Sequence, residues 1–147
     1  GNDAWTYVAL IAEVEVNPTT GVVKVISVVC AKDMGQVINP HGARVQAEGC
    51  ITMGLGYALY EDIPFNWGEV VVRNFDTYEI TRFSTTAPVE TVFYDDMGAP
   101  PQGGGEPAII CVGGAIANAV FHASGARVTQ MPVTPERILE KIKQLKS

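Results

Sequence analysis

Two runs of β-branched and small residues open the chain, each alternating along its length. Thr6 to Val16 carries Tyr7, Ala9, Ile11, Val14 and Val16, and Val22 to Cys30 carries Val23, Val25, Ser27 and Val29 against Val22, Lys24, Ile26 and Val28. Between them stands Asn17-Pro18-Thr19-Thr20-Gly21, a cluster of turn formers, so the two runs are predicted to pair as a hairpin. After a loop through Asp33-Met34-Gly35-Gln36 to Asn39-Pro40, the pattern becomes helical from His41 to Tyr60. Gly42, Gly49 and Gly56 recur every seventh residue there and share one stripe, which drifts only ~20° per heptad. A helix glycine costs ~1 kcal/mol relative to alanine. The stripe is therefore expected to meet a close neighbour: the hairpin Val8–Cys30, another domain, or a ligand.

Short strands are predicted at Ile63–Phe65 and Val70–Val72 around a Trp67-Gly68 turn, and at Thr77–Ile80 and Val89–Phe93. Gly98-Ala99-Pro100-Pro101-Gln102-Gly103-Gly104-Gly105 is expected to be irregular, because proline lacks a donor and glycine lacks a steric bias. A second helix opens at Pro107 and runs without charge through Ala123, which predicts burial nearly all round. A third has Thr134 as N-cap, Pro135 as first residue, and Ile138 and Ile142 on its apolar side. The class is α+β: an N-terminal β-hairpin, a glycine-rich buried helix, short mixed or antiparallel strands and two C-terminal helices. Residues 1–147 form a single domain on this reading.

Composition narrows the function. The net charge of −6 argues against a nucleic-acid partner. The basic cluster Lys141, Lys143 and Lys146 complements the negative pole of a helix end. No apolar run reaches the ~20 residues expected of a membrane span. Cys30, Cys50 and Cys111 are far apart in sequence and lack C-x-x-C spacing, so they read as buried structural thiols; no metal ligand set is assigned. The opening Gly1-Asn2-Asp3-Ala4-Trp5 carries no targeting signal, and the chain reads as a piece of something longer.

The sharpest chemical feature is Gly103-Gly104-Gly105-Glu106-Pro107, a glycine loop that leads an acid into a helix start. Backbone N–H groups there suit an anion, and Glu106 can serve as a base or simply cap the helix. The Lys-Ser/Thr of a P-loop is missing, and no strand precedes the glycines as a dinucleotide fingerprint requires. Gln46 lies in the first helix near Gly42 and Gly49, where an amide can both donate and accept, or can merely be solvated. His41, His122, Asp95-Asp96 and Glu61-Asp62 read as polar surface or turn residues.

In order, the chain also carries Asp33-Met34-Gly35-Gln36-Val37-Ile38-Asn39-Pro40, Gln46 to Gly49, Gly54 to Leu59, Gly103 to Pro107, Ala115 to Val120 and Ser124 to Glu136. This series resembles the C-terminal end of the molybdopterin-binding large subunit of the xanthine dehydrogenase/aldehyde oxidase family of molybdenum hydroxylases. The isoquinoline 1-oxidoreductase β-subunit branch is the most similar. The resemblance covers about Val8 to Leu139 and implies that Glu106 is the base beside molybdenum. It implies further that Gln46, Gly103, Gly104 and Gly105 approach the cofactor, a molybdenum–molybdopterin in the cytosine dinucleotide form. The implied reaction hydroxylates an N-heterocycle or aldehyde with oxygen from water, and electrons leave to an iron–sulfur partner subunit. Such a piece would need the remaining domains of its own subunit, so alone it is expected to be inactive and to hold no cofactor. A non-catalytic assembly domain, or a cofactor- or anion-binding domain of the same fold, is the competing reading. Three consecutive glycines depart from many relatives, which carry a bulkier middle residue.

Overall fold

A computed structural model of the chain describes residues 5–145, so Gly1 to Ala4 and Lys146, on which two of the expectations above touch, lie outside it. The element order is β1 (Tyr7–Val16), β2 (Val23–Asp33), α1 (Pro40–Leu59), β3 (Phe65–Asn66), β4 (Glu69–Val70), β5 (Val89–Tyr94), α2 (Pro107–Ile110), α3 (Val112–Ser124) and α4 (Pro135–Leu145). Strands β1 and β2 pair antiparallel from Tyr7↔Asp33 to Val16↔Val23, with an irregularity between Glu13 and Val14. The turn is set by Asn17, whose Oδ1 accepts from the N–H groups of Thr19 (2.9 Å) and Thr20 (3.0 Å). Gly21 sits there at φ 75°, with the backbone of Pro135 in the space a Cβ would take.

Strand β2 runs three residues further than its periodicity alone predicted, because β5 pairs parallel to it from Val28↔Val89 to Asp33↔Tyr94. The sheet order is β1-β2-β5, a mixed sheet that accords with the α+β class. Its inner face carries Val28 and Cys30 into a core with Ile51 and Leu55 of α1, Val112, Ile116 and Val120 of α3, and Ile138 and Ile142 of α4. On its outer face Tyr7, Ile11, Val92 and Tyr94 are exposed.

Helix α1 starts where Asn39 Oδ1 accepts from the Gly42 N–H (3.0 Å), with Pro40 in the first turn. It packs on α2, α3 and β5 through Ala47, Ile51, Gly54, Leu55, Ala58 and Leu59. The predicted Gly42/Gly49/Gly56 stripe is not what meets a neighbour across the helix interface. A Cβ at Gly49 would touch nothing within 4 Å, one at Gly42 would meet the Asn39 cap, and one at Gly56 would meet Glu61 and Thr81. The close approach is at Gly54, where a Cβ would lie 2.6 Å from Val112 Cγ2 and 2.7 Å from Val112 Cβ.

A β3–β4 hairpin forms around Trp67 (φ 50°) and Gly68 (φ 85°), over Phe65–Asn66 and Glu69–Val70 rather than Ile63–Phe65 and Val70–Val72, and Thr77–Ile80 is not a strand. There the Asn74 carbonyl accepts from the N–H groups of Thr77 and Tyr78, closing a turn that the β-branched and aromatic residues had masked. The second predicted helix breaks at Cys111 into α2 and α3. Its burial is one-sided: Ala108, Val112, Ile116 and Val120 face inward, while Ile110 and Phe121 are exposed. The 18-residue stretch Pro107–Ser124, at mean hydropathy 1.5, is long and apolar enough to cross a membrane, contrary to the reading by run length. Its inner stripe packs on β1 and α1, so a core helix accounts for the same composition. Thr134 caps α4 through Oγ1 to the Arg137 N–H (3.4 Å), and the C-cap of α3 is Gly125 at φ 75°.

Candidate functional site

The glycine loop is irregular, as its composition requires, yet it is tied down along its length. Gln102 N–H donates to the Met34 carbonyl (2.8 Å), and Gln36 N–H donates to that of Ala99 (3.3 Å). Beyond them each glycine carbonyl has its own donor. Thr6 Oγ1 donates to Gly103 O (2.7 Å), Lys32 Nζ to Gly104 O, and Cys50 Sγ to Gly105 O (2.6 Å). The peptides of this loop are trans, the one cis bond among the described residues being Met131–Pro132. In a trans peptide the N–H points opposite to the carbonyl of the same plane. Each bonded carbonyl therefore sets the N–H of the next residue in the opposite direction, at Gly104, Gly105 and Glu106, and no described protein atom accepts from these N–H groups.

Outward of the loop lies a cleft of about 440 Å³, lined by Met34, Gln36, Ile38, Asn39, Gly42, Ala43, Gln46, Pro101, Gln102, Gly104 and Gly105. Gln46, Gly104 and Gly105 thus come together as the sequence suggested. Gln46 is exposed, its Oε1 3.9 Å from where a Gly105 Cβ would lie. Gly103 and Glu106 do not line the cleft but border it in the chain. Glu106 occupies the N-cap position of α2 with an exposed side chain and no side-chain cap bond, so the capping role the sequence left open is not taken up. Since α2 is four residues long, a strong helix pole at Glu106 is not available either. At the middle glycine, a Cβ on Gly104 would lie 2.5 Å from Met34 Cε, the movable end of a flexible side chain. A bulkier residue there would displace Met34 and narrow the cleft.

Sequence reasoning missed the residues behind the loop. Lys32 is 2% exposed, on the same face of β2 as Val28 and Cys30, and burial lowers its pKa while nearby Cys50 and Cys30 oppose the shift. The period-2 pattern would have pointed Lys32 inward had the strand been carried past Cys30. Burial likewise pushes the Cys30 thiol up, with Lys32 pulling it down and Cys111 and Cys50 adding to the rise. All three cysteines are free. Cys30 and Cys50 lie near Lys32 and Cys111 near Cys30, which their sequence spacing did not show. Asp95 holds the approach to Asn39 by accepting from the Val37 N–H (3.1 Å), and His41 and His122 are exposed, as polar surface residues should be. Among the described residues no three His, Cys, Asp or Glu side chains converge to hold a metal ion.

Residues 1–87 match the family model of the molybdopterin cofactor-binding domain. A membrane-bound aldehyde dehydrogenase of Gluconacetobacter polyoxogenes, whose name specifies pyrroloquinoline quinone, is 37% identical over 91% of this chain and 17% of its own length. The molybdenum-binding subunit of an aldehyde oxidoreductase of Escherichia coli is 34% identical over 93% of this chain and 20% of its own length. Among solved structures, quinoline 2-oxidoreductase from Pseudomonas putida 86 superposes with a TM-score of 0.82 at 25% identity, over 89% of this chain and 18% of that one. The chain thus spans a fifth or less of the proteins it matches.

Proposed function

Because this chain belongs to the molybdopterin cofactor-binding domain family, we propose that it forms one wall of the cofactor site in the large subunit of a molybdenum hydroxylase, with Glu106 as base. The observation that carries the reading is the cleft that brings Gly104 and Gly105 beside Gln46, with the exposed Glu106 carboxylate, free of any cap bond, next to it in the chain. The cleft fits an organic group that brings its own metal ligands. Its polar lining is carboxamides, from Gln36, Asn39, Gln46 and Gln102, with backbone amides, and these pair with a heterocycle's mixed donors and acceptors or with phosphate. The pyrroloquinoline quinone of one relative's name is set aside in favour of the family match and the molybdenum-binding relative.

When bound, the molybdenum–molybdopterin group, in its cytosine dinucleotide form, supplies a two-electron oxidation of substrate with oxygen drawn from water. Glu106 accepts the proton released as that oxygen is activated. Its carboxylate is free to do so because no hydrogen bond to the start of α2 engages it. Gln46 orients the group from the α1 side, and Gly103 to Gly105 let backbone come close from the other, since a side chain at Gly103 would enter open space and one at Gly105 would come up against Gln46 Oε1 at 3.9 Å. The substrate is an N-heterocycle or an aldehyde, in line with the quinoline and aldehyde oxidoreductases it resembles. An iron–sulfur partner subunit takes the electrons, and the rest of the large subunit completes the pocket. A chain that covers so small a share of its relatives is inactive alone.

The test is Glu106→Gln in the full-length subunit, followed by metal analysis and turnover. Molybdenum should stay, and the rate should fall roughly 10²–10⁴-fold, the usual contribution of a positioned base. A variant that turns over at the parent rate overturns the assignment.

A further inference from the structure

Resting on that reading, we propose that Lys32 and Cys50 are positioning residues whose bonds to the carbonyls of Gly104 and Gly105 set the direction of the cofactor-facing amides. Neither residue lines the cleft. Each acts from behind the loop: Lys32 from the inner face of β2, and Cys50 from α1, one turn beyond Gln46. Lys32 lies in a place where an ammonium is costly unless it is paired. The acceptor it has is Gly104 O, rather than a carboxylate. An apolar residue of the same length would fill the space without that cost, so the ammonium is accounted for by the bond it makes. A thiol is a weak donor, and its contact with Gly105 O at 2.6 Å is short for sulfur. The adjacent Lys32 and Cys50 bonds fix two successive peptide planes, and a chain of glycines has no steric preference that would fix them otherwise. With both planes set, the N–H groups of Gly105 and Glu106, each opposite a bonded carbonyl, are held in fixed directions together.

The experiment uses the full-length subunit with Lys32→Met, Cys50→Ala and Cys50→Ser. Folding is followed by circular dichroism, molybdenum per subunit after gel filtration by metal analysis, and kcat separately from KM. Lys32→Met and Cys50→Ala should fold yet each retain about tenfold less molybdenum, the scale of one lost hydrogen bond to a bound group. Cys50→Ser, which keeps a donor at the same atom, should restore retention. What metal remains should turn over with an unchanged KM and a lower kcat. Full retention with parent kinetics in Lys32→Met and Cys50→Ala overturns the proposal, and so does a Cys50→Ser variant no better than Cys50→Ala. Should Lys32→Met fail to fold, the Cys50 pair decides alone. A parent subunit that holds no molybdenum would instead defeat the function proposed above, so the two failures are distinct.

Discussion

Two alanine substitutions in α1 should move stability in opposite directions. At Gly49 a Cβ would meet nothing within 4 Å, and the residue is an exposed interior position of the helix. Gly49→Ala therefore removes only the entropic penalty of glycine and should stabilise the chain by roughly 0.5–1 kcal/mol. Gly54 gains the same amount from propensity, but its new methyl would lie 2.6, 2.7 and 3.0 Å from three atoms of Val112, which is 2% exposed. One of those atoms is Val112 Cβ, so no rotamer change relieves the clash and α1 must move away from α3. Overpacking of this kind costs about 1–3 kcal/mol. The clash wins, leaving Gly54→Ala destabilised by roughly 1–2 kcal/mol. Thermal melts followed by circular dichroism should show Tm lowered by roughly 3–8 °C for Gly54→Ala and raised by roughly 2–4 °C for Gly49→Ala. In Gly54→Ala/Val112→Ala the contacts at 2.6 and 3.0 Å with Cγ2 and Cγ1 are gone while the one with Cβ remains, so the clash is partly relieved and the double variant should be more stable than the sum of the singles by at least ~0.5 kcal/mol. A Gly54→Ala chain as stable as the parent would refute the tight α1–α3 approach.

Tyr78 donates to Glu61 Oε2 at 2.5 Å, and that bond pushes its pKa up to about 12 from a reference of 10.0. A pKa raised on folding means a contribution fully present below pH ~10 and lost as pH climbs through the folded value. Phenolate absorbance should accordingly show a late transition near pH 12 that disappears in Tyr78→Phe, and loss of a transition near pH 10 instead would contradict the bond. Cys30 is completely buried with its thiol held up by desolvation, so it should label with a thiol reagent long after half-buried Cys50 and Cys111. Mass spectrometry of the partly labelled chain gives the order, and Cys30 labelling first would be incompatible with its place in the core.

The hairpin, α1 and α4 were legible because each is specified locally. Asn17 and Gly21 make the first turn, Asn39-Pro40 and Thr134-Pro135 start the two helices, and the apolar periods of β1 and α4 match their elements. Thr77–Ile80 misled because strand-forming side chains say nothing about an Asn74 carbonyl that closes a turn. Of the glycine stripe only the hairpin reading fails, since a heptad reports which residues share a side of α1 but not which side α3 covers, while Gly42 lines the cleft. Of the candidate site, Gln46, Gly104 and Gly105 were singled out together by the family resemblance, and they share the cleft. The donors behind them were not, because β5 pairing carries β2 on to Lys32, and Cys50 became a partner of Gly105 only through a contact across 55 residues.

The three donors on the glycine carbonyls stand 97, 72 and 55 residues from their acceptors. Contacts this remote in sequence require large loops to close first, so they form late in folding. A nascent or partly folded chain, with α1 not yet docked or β1 not yet paired, would leave Gly103 to Gly105 free to sample many shapes. The fixed directions of these amides are then a sign that the tertiary structure is complete. Under the function proposed here, insertion follows folding, and an unfinished chain offers nothing for the cofactor to recognise.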